Sequence, residues 1–110
     1  MSHSRPRHYD DVKHRHPDFI EAIENLGAAI HKEGPLDAST AQLVQIAAAA
    51  ASRSEGAVHS HVNRALEAGL EPEAIQHALI LLTTTIGFPA VMAALSWADD
   101  IFKAVHDREP

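Results

Sequence analysis

From Phe19 onward the apolar residues recur every three or four positions, and nowhere does a period of two compete with them. That spacing predicts helix along the whole chain. Phe19, Ile20, Ile23, Leu26, Gly27 and Ile30 mark one face of a first helix, with Glu21, Glu24 and Asn25 facing away. It opens at His16-Pro17, where proline suits a first helical position, and Gly34-Pro35 ends it. Asp37 or Ser39 can cap a second helix from Ala38 to about Arg53, with Leu43, Val44, Ile46, Ala47 and Ala50 as its apolar positions. After the break at Ser52 to Gly56, a third helix covers roughly Ala57 to Ala68 and stops at Gly69. Glu71-Pro72-Glu73 starts a fourth. Through Ile75 and Ala78 to Leu82 it is apolar nearly all round, so it requires burial on most sides. Gly87-Phe88-Pro89 separates it from a fifth helix that runs to about His106, carrying Val91, Met92, Leu95, Trp97, Ala98, Ile101 and Phe102. The fold class is therefore all-α, a compact bundle of about five helices. Residues 1–15 carry no pattern and read as a flexible, histidine-rich arm (His3, His8, His14, with His16 at its end). Residues 16–110 form a single helical domain.

Composition adds to this picture. The 110 residues are 45% hydrophobic but only 5% aromatic, so alanine and the aliphatics fill the interior. Alanine favours helix, and the five-residue run Ala47 to Ala51 allows helices to approach closely. Small side chains in a small domain bury little area, so oligomerisation (a dimer, trimer or hexamer) is expected to complete the core. The net charge of −6 and the absence of a cationic stripe argue against nucleic acid as a partner. Arg5, Arg7, Lys13 and Arg15 are interrupted by Asp10 and Asp11 and read as a solvated tail. There is no cysteine, which removes disulfides, thiolate metal sites and thiol nucleophiles. Met1 to Tyr9 lacks the apolar stretch of a secretory signal, and no run of 18 apolar residues could span a bilayer. Cytoplasm is the expected location, with no membrane partner.

Three pieces in order carry a resemblance. Gly34-Pro35-Leu36-Asp37 leads into Leu43-Val44-Gln45-Ile46-Ala47. His61-Val62-Asn63-Arg64-Ala65, with Gly69 and then Glu73-Ala74-Ile75, follows. Gly87-Phe88-Pro89-Ala90, with Ala93-Ala94 and Ala98, completes the set. Together they resemble the carboxymuconolactone decarboxylase / alkylhydroperoxidase D-like family over Leu36 to Ala98. The resemblance implies an alkylhydroperoxidase D-like helical bundle that assembles into oligomers. For the peroxidase-type relatives it also implies a Cys-x-x-Cys pair, with three residues between the second cysteine and the histidine, and a glutamate on the preceding helix. Here those positions are Ser54, Ala57 and Gln42, and only His61 is kept. A serine cannot form a sulfenate, an alanine cannot resolve one, and a glutamine cannot shuttle a proton. Thiol peroxidase activity is excluded.

The polar groups left at the matching positions are His61, Gln42 and Ser54, the candidate catalytic set. On the third helix Val58, His61, Val62 and Ala65 share a face, so His61 points inward beside small residues. Two readings stay open. His61 is either a core histidine hydrogen-bonded to a neighbour such as Gln42, or a general acid/base in a small pocket, its imidazole suited to proton transfer near neutrality. The thiol-free decarboxylase branch implies a cofactor-free proton-transfer chemistry on a small organic or lactone acid; the alternative is a non-catalytic oligomeric scaffold or binding protein. His59 lies about 160° from His61 on a regular helix, so the two do not form one metal site. No metal and no cofactor is expected. Outside that resemblance Ser54 reads as a helix cap, Glu55 as a first-turn charge before a ligand-facing acid, and His77 as an interface residue before a pocket residue. Thr83 to Thr85 can bond back to carbonyls one turn earlier, and Trp97 and Met92 read as core or interface.

Overall fold

A computed structural model describes residues 7–108 of the chain. Among them, six helices of nine to 21 residues and one single turn follow in order: α1 Arg7–Arg15, α2 Pro17–His31, α3 Ala38–Ala51, α4 Glu55–Glu67, α5 Pro72–Ile80, α6 Thr83–Ile86 and α7 Phe88–Arg108. No strand occurs among the described residues, as the all-α reading requires.

The core lies where α3, α4, α5 and α7 meet. Ile46, Ala49 and Ala50 of α3 pack with Val58, Val62 and Ala65 of α4, Ile75 and Leu79 of α5, and Ala94, Ala98 and Ile101 of α7. On α4 these are the residues that helical spacing assigns to the inner face. The alanines set the architecture: with only a methyl between backbones, α3 and α4 lie closely side by side and α7 crosses α4 along Ala94, Ala98 and Ile101. Leu43, Leu66, Leu95, Trp97 and Phe102 close the rim of the cluster.

The ends of α3 and α4 have local causes. Asp37 caps α3, its carboxylate accepting from the Thr40 N–H at 2.8 Å, and this bond holds the Asp37 pKa below its ordinary value. Ser54 caps α4, its Oγ accepting from the Ala57 N–H at 3.3 Å. Both α3 and α4 finish in a Schellman arrangement. After α4, Leu70 N–H donates to Ala65 C=O and Gly69 N–H to Leu66 C=O, each at 3.0 Å. After α3, Ser54 N–H donates to Ala49 C=O and Arg53 N–H to Ala50 C=O, again at 3.0 Å. The left-handed residue is Gly69 (φ 93°) in one case and Arg53 (φ 56°) in the other. A side chain in that conformation costs about 1–2 kcal/mol. Arg53→Gly is therefore expected to stabilise the protein, by up to about 1 kcal/mol once the greater backbone freedom of glycine in the unfolded chain is subtracted. Urea denaturation measures it, and a loss of stability would mean that the arginine side chain makes a contribution larger than the strain.

Three expectations are corrected. Arg7–Arg15, read from sequence as part of an unpatterned arm, is helical; it packs on α2, where Tyr9 Oη donates to Glu24 at 2.6 Å and Lys13 Nζ pairs with the same carboxylate at 3.0 Å. Residues 1–6, including His3, lie outside the described residues. The fourth expected helix is divided at Leu81-Leu82 into α5 and α6, where Leu82 N–H turns back three residues to Leu79 C=O and Thr83 Oγ1 donates to Ile80 C=O at 2.6 Å. The hydroxyl bonds back as expected, and here it accompanies a break. Finally, Ile80 and Leu81, on the segment expected to need burial on most sides, are exposed. The apolar face of α2 is largely exposed as well: only Ile20 is buried, while Phe19, Ile23, Leu26 and Ile30 are 47–59% exposed.

Candidate functional site

His61 sits in the second turn of α4, beside Gln42 in the second turn of α3. Its Nδ1 donates to Gln42 Oε1 at 3.0 Å. An amide oxygen only accepts, so this bond puts the ring proton on Nδ1 and leaves Nε2 as the basic nitrogen. Gln42 is itself buried, at 6% exposure, which fixes the imidazole against a rigid neighbour. Half-burial of His61 holds its pKa below the ordinary 6.5, first by desolvation and then through the nearby charges of Arg64 and His31. At neutral pH the ring is therefore uncharged and able to accept a proton.

The imidazole faces a cleft of about 740 Å³ bounded by α3 and α4 on one side and the α1–α2 hairpin on the other. Gln42, Gln45, His61 and Arg64 form its inner wall; His31, Ile23, Leu26, Gly27 and Ile30 of α2, with Tyr9 and Lys13 of α1, form the outer one. Gln45 is half-buried and its Oε1 is fully enclosed with no hydrogen-bond partner. A buried amide oxygen left without a donor is costly, and a donor brought by a ligand or water would relieve it.

The sequence-based set is brought together only in part. His61 and Gln42 meet. Ser54 does not line the cleft; its hydroxyl is used in capping α4. Glu55 is an exposed first-turn residue of the same helix, and His59 turns away from His61 toward Asp100 of α7, at 3.0 Å. His77 is exposed on α5 and Met92 on α7, while Trp97 packs against the core. Sequence reasoning missed Arg64 and Gln45, although each stands three residues beyond a residue it had found, on the same helical face (His61 and Gln42). It could not find His31 or Lys13, which reach the cleft only through the docking of the hairpin.

These features define an all-helical protein with a thiol-free polar cleft, whose inner wall carries one imidazole, two amides and a guanidinium. Residues 17–100 match the family model of the carboxymuconolactone decarboxylase family, more than half of the chain, and the protein belongs to that family. The resemblance read from the sequence is thus borne out. No curated protein and no solved structure gives a significant match. Among the described residues, no helix is long and apolar enough to cross a membrane.

Proposed function

We propose that the cleft takes up a small organic acid and that His61 transfers a proton to or from it, without a cofactor. One observation carries this reading: a neutral imidazole, with Nδ1–H tied to a buried amide, stands beside the Arg64 cation in a cleft large enough for a small molecule. Arg64 supplies a planar, permanently charged fork for a carboxylate. Gln45 can turn its free oxygen to a hydroxyl or protonated group of the same ligand. Nε2 of His61 is then the base, taking a proton from carbon next to a carbonyl or returning one to carbon after CO₂ leaves. Such a lactone acid or keto acid fits both the charge and the size of the site.

A non-catalytic oligomeric binding protein is the second reading. The exposed apolar run of Phe19, Ile23, Leu26 and Ile30 on α2 favours it, because a second copy of the chain covering these residues would also close the outer wall of the cleft. Assembly and uptake are compatible; turnover separates the two readings.

The test is an NMR titration of the His61 ring, assigned against His61→Ala, with and without a panel of small carboxylic and lactone acids. In the free protein His61 should titrate below 6.5. A bound carboxylate stabilises the imidazolium, so the pKa should rise toward or above that value on binding, and Arg64→Gln should abolish the response. Consumption of the bound acid by the native protein and not by His61→Ala identifies an enzyme. Binding without consumption leaves the binding protein, and a His61 signal indifferent to every acid removes both.

A further inference from the structure

We propose that Glu55, His59 and Asp100 form a divalent-cation site where α4 passes α7, separate from the His61 cleft. Glu55 and His59 stand four residues apart, one turn of α4, so both side chains leave the helix on the same face. The packing of Val58, Val62 and Ala65 against Ala94, Ala98 and Ile101 then brings Asp100 of α7 opposite them. His59 Nε2 lies 3.0 Å from Asp100 Oδ2 and 4.0 Å from Glu55 Oε2, and one ligand atom from each residue falls within 4.8 Å of the other two. Two ligands about 2.0–2.2 Å from one zinc ion, at a tetrahedral angle, are roughly 3.4 Å apart. The His59–Asp100 pair needs only a small outward adjustment to meet that spacing. Glu55, with a side chain 59% exposed, is free to swing in.

Charge favours an ion over the hydrogen-bonded groups alone. Two carboxylates converge on one imidazole, and even a protonated His59 would leave the cluster negative. Lys103, one turn beyond Asp99 on α7, is paired with that residue at 3.2 Å. That leaves Asp100 to His59. The donor set of one nitrogen and two oxygens suits a borderline transition ion such as Zn²⁺ better than Ca²⁺ or Mg²⁺, which take oxygen. His59 is the least exposed of the three, at 20%, and anchors the site on the rigid side of α4. With three protein ligands the ion keeps a position for water or an anion. None of the three residues lines the His61 cleft.

The experiment is a calorimetric titration of the untagged 110-residue chain with Zn²⁺. His3, His8, His14 and His16 are changed to Gln throughout, so that no imidazole near the N-terminus competes. One equivalent should bind, shifting the His59 ring signals in NMR and leaving those of His61 in place. His59→Gln and Asp100→Asn should each weaken binding by at least about tenfold, and Glu55→Gln by a smaller factor. Asp100 is 58% exposed, so its variant reads binding without disturbing the fold. Absence of saturable zinc binding overturns the proposal, and so does binding that survives both His59→Gln and Asp100→Asn.

Discussion

Ser54→Cys, Ala57→Cys and Gln42→Glu, installed together, are expected to give a protein that reduces an organic hydroperoxide in the presence of a dithiol, where the native chain is inert. The native protein has no thiol to offer. The triple variant restores each group that the family resemblance places in the peroxidase-type site, and the local geometry suits them. Position 54 is the N-cap of α4, whose side chain already accepts from the Ala57 N–H; a thiolate there is stabilised by the positive end of the helix and by the same donor. Position 57 lies one turn further on, and His61 one turn beyond that, all along one helical face. The carboxylate introduced by Gln42→Glu would replace the amide that holds His61 Nδ1, raising the basicity of the ring and coupling it to a second titratable group. One thiolate attacks the peroxide, releasing an alcohol and forming a sulfenate; the second thiol displaces water to give a disulfide; the external dithiol reduces it. Ser54→Cys alone has no second protein thiol to resolve its sulfenate, so its turnover should be slower and should depend on direct attack by the external dithiol. Loss of peroxide followed spectroscopically separates these cases. A triple variant that folds, shows two free thiols and consumes no peroxide would mean that positions 42, 54 and 57 do not correspond to the site the resemblance implies.

What the sequence made legible follows the distance over which each feature is determined. α3, α4 and α7 were readable because a buried face imposes a period on the residues themselves, and Val58, Val62 and Ala65 fall on it. The caps of α3 and α4 were readable for the same reason, a side chain bonding its own neighbours three residues on. α1 was not. Its residues are polar on nearly every side, and its main contact is with α2, through Tyr9 and Lys13 to one carboxylate fifteen or eleven residues away. The break between α5 and α6 was hidden because an apolar run and three threonines look the same whether or not one carbonyl is taken by a hydroxyl. At the candidate site, the bond between His61 and Gln42 was anticipated, since the family spacing places both on facing helices. Arg64 and Gln45 were within reach of the same argument. The outer wall of the cleft and the meeting of His59 with Asp100 were not, because both depend on how separate helices dock.

Leu79→Ala is expected to remove about 2–5 kcal/mol of stability, a large share of the roughly 5–15 kcal/mol typical of a single domain. Leu79 is fully buried in a core cluster whose other buried residues on α3, α4 and α7 are mostly alanine and valine. Such short side chains cannot extend to fill the space left by a leucine, so the cavity persists and the loss should fall toward the upper part of that range. The next residue sharpens the experiment. Ile80, 52% exposed, projects from the same turn into the surroundings of the single chain. In a monomer Ile80→Ser should cost little, because the side chain loses small burial. If a second copy covers this surface, Ile80→Ser instead weakens assembly, and the stability of the native protein rises with its concentration. Urea denaturation of the native protein and both variants, at two protein concentrations, measures the two effects separately. Leu79→Ala should be destabilised at both. A concentration-dependent midpoint in the native protein that Ile80→Ser abolishes would place Ile80 between copies; a native midpoint independent of concentration would leave that surface bare.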